Sequence, residues 1–119
     1  MKKTVVLGAT PNPSRYANMA VHRLLQYGHD TVPVGMREGE IAGLRILNGQ
    51  PALDDVDTIT LYLNAERQEA YFDYILSLHP KRIIFNPGAE NPRLARLARA
   101  QGIETVEGCT LVMLSIGNY

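Results

Sequence analysis

The sequence predicts an α/β domain in which a mostly parallel sheet of about five strands carries helices on both faces, a three-layer arrangement. Three observations predict it. Short apolar, β-branched runs alternate along the chain with segments of helical periodicity, the pattern of βαβ units. Several of those runs are apolar at successive positions, as strands covered on both faces require. The 119 residues fit one domain, 1–119, and 45% of them are hydrophobic, enough for a core without metal or disulfide support.

Thr4-Val5-Val6-Leu7 reads as the first strand, ended by Gly8. In the turn that follows, Asn12 or Ser14 is placed to cap a helix, and Pro13 suits its first turn. Ala17, Ala20, Val21, Leu24 and Leu25 then recur at helical spacing until Gly28. The second strand is about Asp30 to Val34. Between Gly35 and Val56 no long amphipathic pattern occurs, so the crossover to the third strand is degenerate. Within it, Gly35 to Gly43 is a loop, Leu44 to Leu47 a short extended piece, and Pro51 to Val56 one helical turn. The third strand is Thr58 to Leu63, and Asn64 caps a helix over roughly Ala65 to Leu78, which Pro80 stops. Arg82 to Phe85 is the fourth strand, with a turn at Asn86-Pro87-Gly88. Asn91 and Pro92 open a third helix that faces Leu94, Leu97 and Ala98 inward and ends before Gly102. The fifth strand is about Glu104 to Val106, and the apolar tail Thr110 to Ile116 is either a short closing helix or an extended segment.

Composition excludes several function classes. Twelve basic and 12 acidic residues leave no bulk basic field for nucleic acid. One cysteine forbids an internal disulfide and any multi-cysteine metal site. No run approaches the roughly 18 apolar residues of a membrane span. Met1-Lys2-Lys3 leads straight into a strand rather than into a signal-peptide core. A cytoplasmic protein is expected. Asp54, Asp55 and Asp57 read as a solvated turn rather than a metal site, and Arg93, Arg96 and Arg99 as a solvated helix face.

In such folds ligands bind beyond the carboxyl ends of the strands, which selects the loops after Leu7, Val34, Leu63, Phe85 and Val106. The first, Gly8 to Arg15, precedes a helix N-terminus, where amides and the macrodipole favour a phosphate. It has one glycine, and Pro11 and Pro13 lack amide donors, so Thr10, Ser14, Arg15 and the remaining amides carry that expectation; a merely capped turn is the alternative. No acid ends the second strand, which argues against NAD. Arg37 there either faces a ribose phosphate, as in NADP or coenzyme A, or is an ordinary loop arginine. Tyr62 and Asn64 offer a ring and a helix start, and Gly88 permits close approach of a ligand to the backbone. Cys109 falls near the same edge without a base, since His29 and His79 belong to the opposite edge and His22 lies mid-helix. It reads as packed or ligand-adjacent, and no catalytic residue is assigned.

The segments Val6-Leu7-Gly8-Ala9-Thr10, Asn12-Pro13-Ser14-Arg15, Leu24-Leu25-Gln26-Tyr27-Gly28, Val32-Pro33-Val34 and Ile41-Ala42-Gly43-Leu44, with the late Gly88 and Cys109, resemble a known family in order and spacing. It is the family of small, single-domain CoA-binding proteins, Rossmann-like and similar to the N-terminal domain of the succinyl-CoA synthetase alpha subunit. The resemblance spans almost the whole chain. It implies a coenzyme A or acyl-CoA site: Gly8, Ala9, Thr10, Ser14 and Arg15 at the phosphates, Val34 and Arg37 near the adenosine, and Tyr62, Asn64, Asn86, Pro87 and Gly88 lining the remaining cleft. The chain departs from the family pattern in three places. Val34-Gly35-Met36-Arg37 stands for the common Val-Asn-Pro and its basic follower, Phe85-Asn86-Pro87-Gly88 for a Trp-x-Gln-x-Gly type segment, and Leu63-Asn64-Ala65 for basic residues.

The function implied is a nucleotide-cofactor binding module without catalysis of its own. The alternatives are an NADP-dependent or thiol-using small enzyme and a ligand-free regulatory or protein-interaction module. The implied partner is a CoA-type small molecule, with no nucleic acid and no membrane. A homodimer through the aromatics Tyr71, Phe72 and Tyr74 is open, packing being the other reading of those rings.

Overall fold

β1 (Thr4–Leu7), apolar on both faces, takes the interior position its composition demands, between parallel neighbours. The computed structural model describes residues 1–119. Five parallel strands lie in the order β2-β1-β5-β6-β7: β2 (Thr31–Val34), β5 (Thr58–Leu61), β6 (Arg82–Phe85) and β7 (Glu104–Glu107) around β1. The register sets Leu7 opposite both Val34 and Leu61, and Phe85 opposite both Leu61 and Glu107, so all carboxyl ends reach one crest. The chain moves outward from β1 to β2 and then returns to β5 on the other side, which makes β1 and β5 the switch point of this Rossmann-like α/β fold.

Successive strand residues face opposite layers. Val5 and Leu7 join Ile59, Ile83 and Phe85 beneath Phe72, Ile75, Leu94 and Ala98. Those four belong to α3 (Phe72–Ser77) and α4 (Pro92–Ala100). Val6 turns to the other layer, against Ala17, Val21 and Leu24 of α1 (Tyr16–Gln26) and Leu114 of α5 (Thr110–Ile116). The apolar tail therefore closes the domain as a helix. No helix is long and apolar enough to cross a membrane.

The degenerate crossover is a hairpin. β3 (Glu40–Ile41) and β4 (Leu44–Arg45) pair antiparallel around Ala42 and Gly43, both at positive φ (51° and 82°), as a two-residue hairpin turn requires. Ile41 and Ile46 enter the α1 layer in place of a helix, and Leu47 makes one parallel bridge to Val34 at the sheet edge. The helical turn expected at Pro51 to Val56 does not form; the segment is irregular.

The single helix expected over Ala65 to Leu78 is broken into α2 (Ala65–Gln68), one 3₁₀ turn (Glu69–Tyr71) and α3. Gln68, Phe72 and Ile75, at i, i+4 and i+7, all turn inward, so the buried face runs on through the tighter turn. Leu97 is 41% exposed rather than inward. The buried stripe of α4 runs through Leu94, Ala95 and Ala98, and Leu97 lies outside that arc. Phe72 and Tyr74 are buried and Tyr71 is half-buried, so these three rings pack within the domain.

At the amino edge of the sheet, Tyr119 lays its ring over the Arg82 guanidinium, 4.5 Å from the centroid, and its hydroxyl meets Thr4. Buried Arg82 donates to Thr58 Oγ1 and to the Tyr119 carbonyl. His29 Nδ1 accepts the Lys2 amide at 3.0 Å beside them.

Candidate functional site

The crest at the switch point is built by close backbone packing. Gly8 sits at φ +100°, and a Cβ there would lie 3.1 Å from the Tyr62 carbonyl carbon, so only glycine lets the two strand ends meet. A Cβ on Gly35 would fall 2.0 Å from the Ala9 oxygen, so the loops after β1 and β2 also touch backbone to backbone. The amides of Gly8 and Ala9 both donate to the Val34 carbonyl, at 2.9 and 3.0 Å. The resemblance sets these two residues against phosphates; in the fold their amides are engaged by β2, and they form the floor.

Donors remain just beyond. The amides of Thr10, Tyr16 and Ala17 have no acceptor within the protein. Neither Asn12 nor Ser14 caps α1; Arg15 holds the cap position without a side-chain bond. Asn12 Oδ1 instead accepts from the Ser14 amide and hydroxyl, closing a local turn in which Asn18 holds the Thr10 carbonyl. The Arg15 and Arg37 side chains are exposed. The one ion pair of the molecule lies elsewhere, between Arg93 and Glu69.

The other half of the crest is internally bonded. Asn86, 2% exposed, donates to Thr60 Oγ1 (2.6 Å) and the Leu61 carbonyl (2.9 Å) and accepts from the Thr110 amide (2.9 Å). It ties β6 to β5 and to the start of α5 rather than facing the cleft. Asn64 caps α2 through the Arg67 amide, as expected. Val34 is wholly buried. Tyr62 packs into the α1 layer with its hydroxyl buried and unbonded. Burial raises the pKa of that phenol well above its ordinary value, Cys109 adds to the rise, and the Thr60 and Thr110 hydroxyls beside it offset only part. Pro87 and Gly88 stay exposed, Gly88 at φ +92° with open space where a Cβ would stand.

Of the twelve candidate residues, then, Thr10, Ser14, Arg15, Arg37, Asn64, Pro87 and Gly88 share the accessible crest, and the other five support it from below or within. Sequence reasoning missed Gln68. Its fully buried amide donates to the Leu63 and Ala89 carbonyls, both at 2.7 Å, and accepts from Asn91, the residue that caps α4. The signal was an amide on the inward side of a helix four residues before Phe72. Thr60 and Thr110, bonded to each other at 2.8 Å, were equally silent.

Clefts of about 480 and 320 Å³ lie away from the crest, one at the amino edge around Lys3, Asp57 and His79, the other along α1 beside Leu111. The crest presents amide, hydroxyl and guanidinium donors over β1 and β2. Cys109 has no histidine near it there: His22 is on the exposed side of α1, and His29 and His79 belong to the far edge.

Residues 2–115 match the model of a family described as a CoA binding domain. A crystal structure of an uncharacterised protein superposes with a TM-score of 0.98 and is 53% identical, over 100% of this chain and 98% of that one. A hypothetical protein from Pyrococcus horikoshii OT3 shares the fold at a TM-score of 0.87 and 23% identity, over 97% of this chain and 82% of that one. The dinucleotide-forming acetyl-coenzyme A synthetase 1 of Ca. Korarchaeum cryptofilum superposes with a TM-score of 0.71 at 19% identity. That match covers 89% of this chain and 25% of the synthetase. The comparison with curated proteins yields no match.

Proposed function

The chain belongs to the CoA-binding domain family, and from that premise we propose that its crest binds coenzyme A or an acyl-CoA, as a holding module without catalysis of its own. The observation that carries the reading is the division of the crest. Unengaged donors collect over β1 and β2: the Thr10, Tyr16 and Ala17 amides with Arg15 and Arg37. The half over β5 and β6 has the side-chain amides of Gln68 and Asn86 bonded internally and exposes Asn64, Pro87 and Gly88. A ligand with a phosphorylated end and a long uncharged arm matches that division.

These residues fit the group. The first turn of α1 presents amides and the positive end of its dipole to a diphosphate. Arg15 and the Thr10 and Ser14 hydroxyls add contacts beside it, and Arg37 stands toward the ribose. The uncharged arm crosses Gly88, where the missing side chain leaves room. Bound there, the coenzyme presents a thiol or thioester. On this reading the chain supplies no catalytic residue and works in the cytoplasm. Arg37 with no acid at the end of β2 also suits the ribose phosphate of NADP, the second reading.

Thermal unfolding with CoA, acetyl-CoA, NADP and NAD tests this. A ligand at 100 times its Kd adds about 2.7 kcal/mol, a rise of roughly 10 °C in Tm for a domain of this size. The expected result is a rise with the CoA species alone, reduced in Arg15→Ala. A rise with NADP alone favours the reductase, and no rise with any of them favours a module that meets another protein.

A further inference from the structure

Arg37 occupies the middle of a five-residue loop with almost no bonds of its own. The amides of Met36, Arg37 and Glu38 have no acceptor within the protein, and all three side chains are exposed. The loop is nonetheless pinned at both ends by contact with the loop after β1. Gly35 lies against the Ala9 carbonyl, and a Cβ on Gly39 would stand 2.9 Å from Pro11. Its middle is held from outside by one side chain. Asn48 Nδ2 donates to the Gly35 carbonyl at 2.8 Å and to the Arg37 carbonyl at 3.1 Å. Asn48 is itself placed by the Leu47 bridge to β2, where the Leu47 amide donates to Pro33 and its carbonyl accepts from Gly35. Two amide hydrogens on one nitrogen thus fix the carbonyls on either side of Met36, and with them the direction in which Arg37 leaves the backbone.

We propose that Asn48 is the positioning residue of this site, holding the Arg37 guanidinium beside the first loop to receive a phosphomonoester on a ligand's ribose. The chemistry recognised is a dianionic phosphate on a sugar ring, which a planar guanidinium meets with two parallel N–H groups. Asn48 touches no ligand; it acts through the backbone of Arg37. The inference rests on the nucleotide-binding reading of the crest and adds which group is read and what aims the reader.

The test is calorimetric binding to the whole chain with two ligand pairs, CoA against dephospho-CoA and NADP against NAD. Each pair differs by the ribose phosphate, and the pairs separate its two sources. Arg37→Ala is expected to weaken the phosphorylated member about tenfold, the scale of one hydrogen-bonded ion pair, and to leave its partner within about twofold. Asn48→Ala should reproduce that selective loss at about three- to tenfold, and the double variant should lose little beyond Arg37→Ala alone, as coupled residues do. Asn48→Asp, nearly isosteric but without either donor, should behave like Asn48→Ala, and both should unfold close to the wild-type midpoint without ligand. An equal loss for both members of a pair makes Asn48 merely structural and overturns the proposal, as does full additivity with Arg37→Ala. Wild-type protein that binds neither pair overturns the nucleotide reading and this inference with it. Wild-type protein that prefers CoA to dephospho-CoA, with that preference unchanged in Asn48→Ala, overturns the inference alone.

Discussion

The two halves of the crest are held together by different means. Over β1 and β2 the loops meet at glycines, backbone to backbone at Gly8 against Tyr62 and Gly35 against Ala9, and against the Pro11 ring at Gly39. Over β5, β6 and α5 they are joined by buried amides and hydroxyls, with Gln68, Asn86, Asn91, Thr60 and Thr110 bonded to one another or to strand-end carbonyls. The first kind of joint uses few side-chain donors and leaves amides and arginines unengaged. The second uses the side chains of Gln68, Asn86, Asn91, Thr60 and Thr110 inside the protein. The half that is cheaper in side-chain bonds therefore keeps its arginines and hydroxyls for an anion, and the half cross-linked by buried side chains serves as its support.

Breaking the first joint should cost most. Gly35→Ala drives a methyl into the Ala9 carbonyl, a backbone atom that cannot swing aside, and should lower stability by more than about 3 kcal/mol in urea unfolding. Tolerance of this substitution would mean that the loops are not locked as described.

The second joint should fail less severely. Asn86→Ala leaves the Thr110 amide and the Leu61 carbonyl without partners and should cost about 2–3 kcal/mol in the same experiment. Because Asn86 does not face the crest, CoA affinity of the folded fraction should stay near wild type. A large affinity loss at unchanged stability would instead put Asn86 in contact with ligand.

The smallest effect belongs to the amino edge, far from both halves. Burial first, and then neighbouring positive charges including Lys2 and Arg82, hold the His29 pKa below its ordinary value of 6.5, with Asp57 opposing. The unfolded chain then takes up a proton before the native one does. Stability from this group is full above pH 6.5 and declines as pH falls toward the lower native value. His29→Gln should flatten that decline below pH 6.5 in thermal unfolding. An unchanged slope would assign the acid sensitivity to another group. Ligand affinity at the crest should not follow this residue.

How much was legible can be read from particular residues. Arg82 to Phe85, Asn91-Pro92 and Asn64 declared a strand, a helix start and a cap, because each is a local event set by burial on two faces, a ring-fixed φ or a side chain reaching three residues ahead. Leu97 and the helix over Ala65 to Leu78 were misread at the margin, where a stripe's width and one tightened turn depart from regular spacing. The loops of the candidate site were legible as places, since alternating strands and helices set all the strands' carboxyl ends at one edge of a parallel sheet. Their inner bonds were not: Gln68 finds Ala89, and Asn86 finds Thr110, only after helices and strands have packed.

The sequence by itself determined a parallel α/β domain, the positions of its loops and the supply of arginines, hydroxyls and glycines at one end of the sheet. Periodicity, capping and proline act within a few residues, so the chain carries them before it folds. Only the tertiary structure decided that the Gly8 and Ala9 amides serve Val34, that Asn86 turns inward, and that Thr10, Tyr16 and Ala17 keep theirs free. A donor is available only when no acceptor elsewhere in the folded chain has reached it, and that is settled by which distant segments meet.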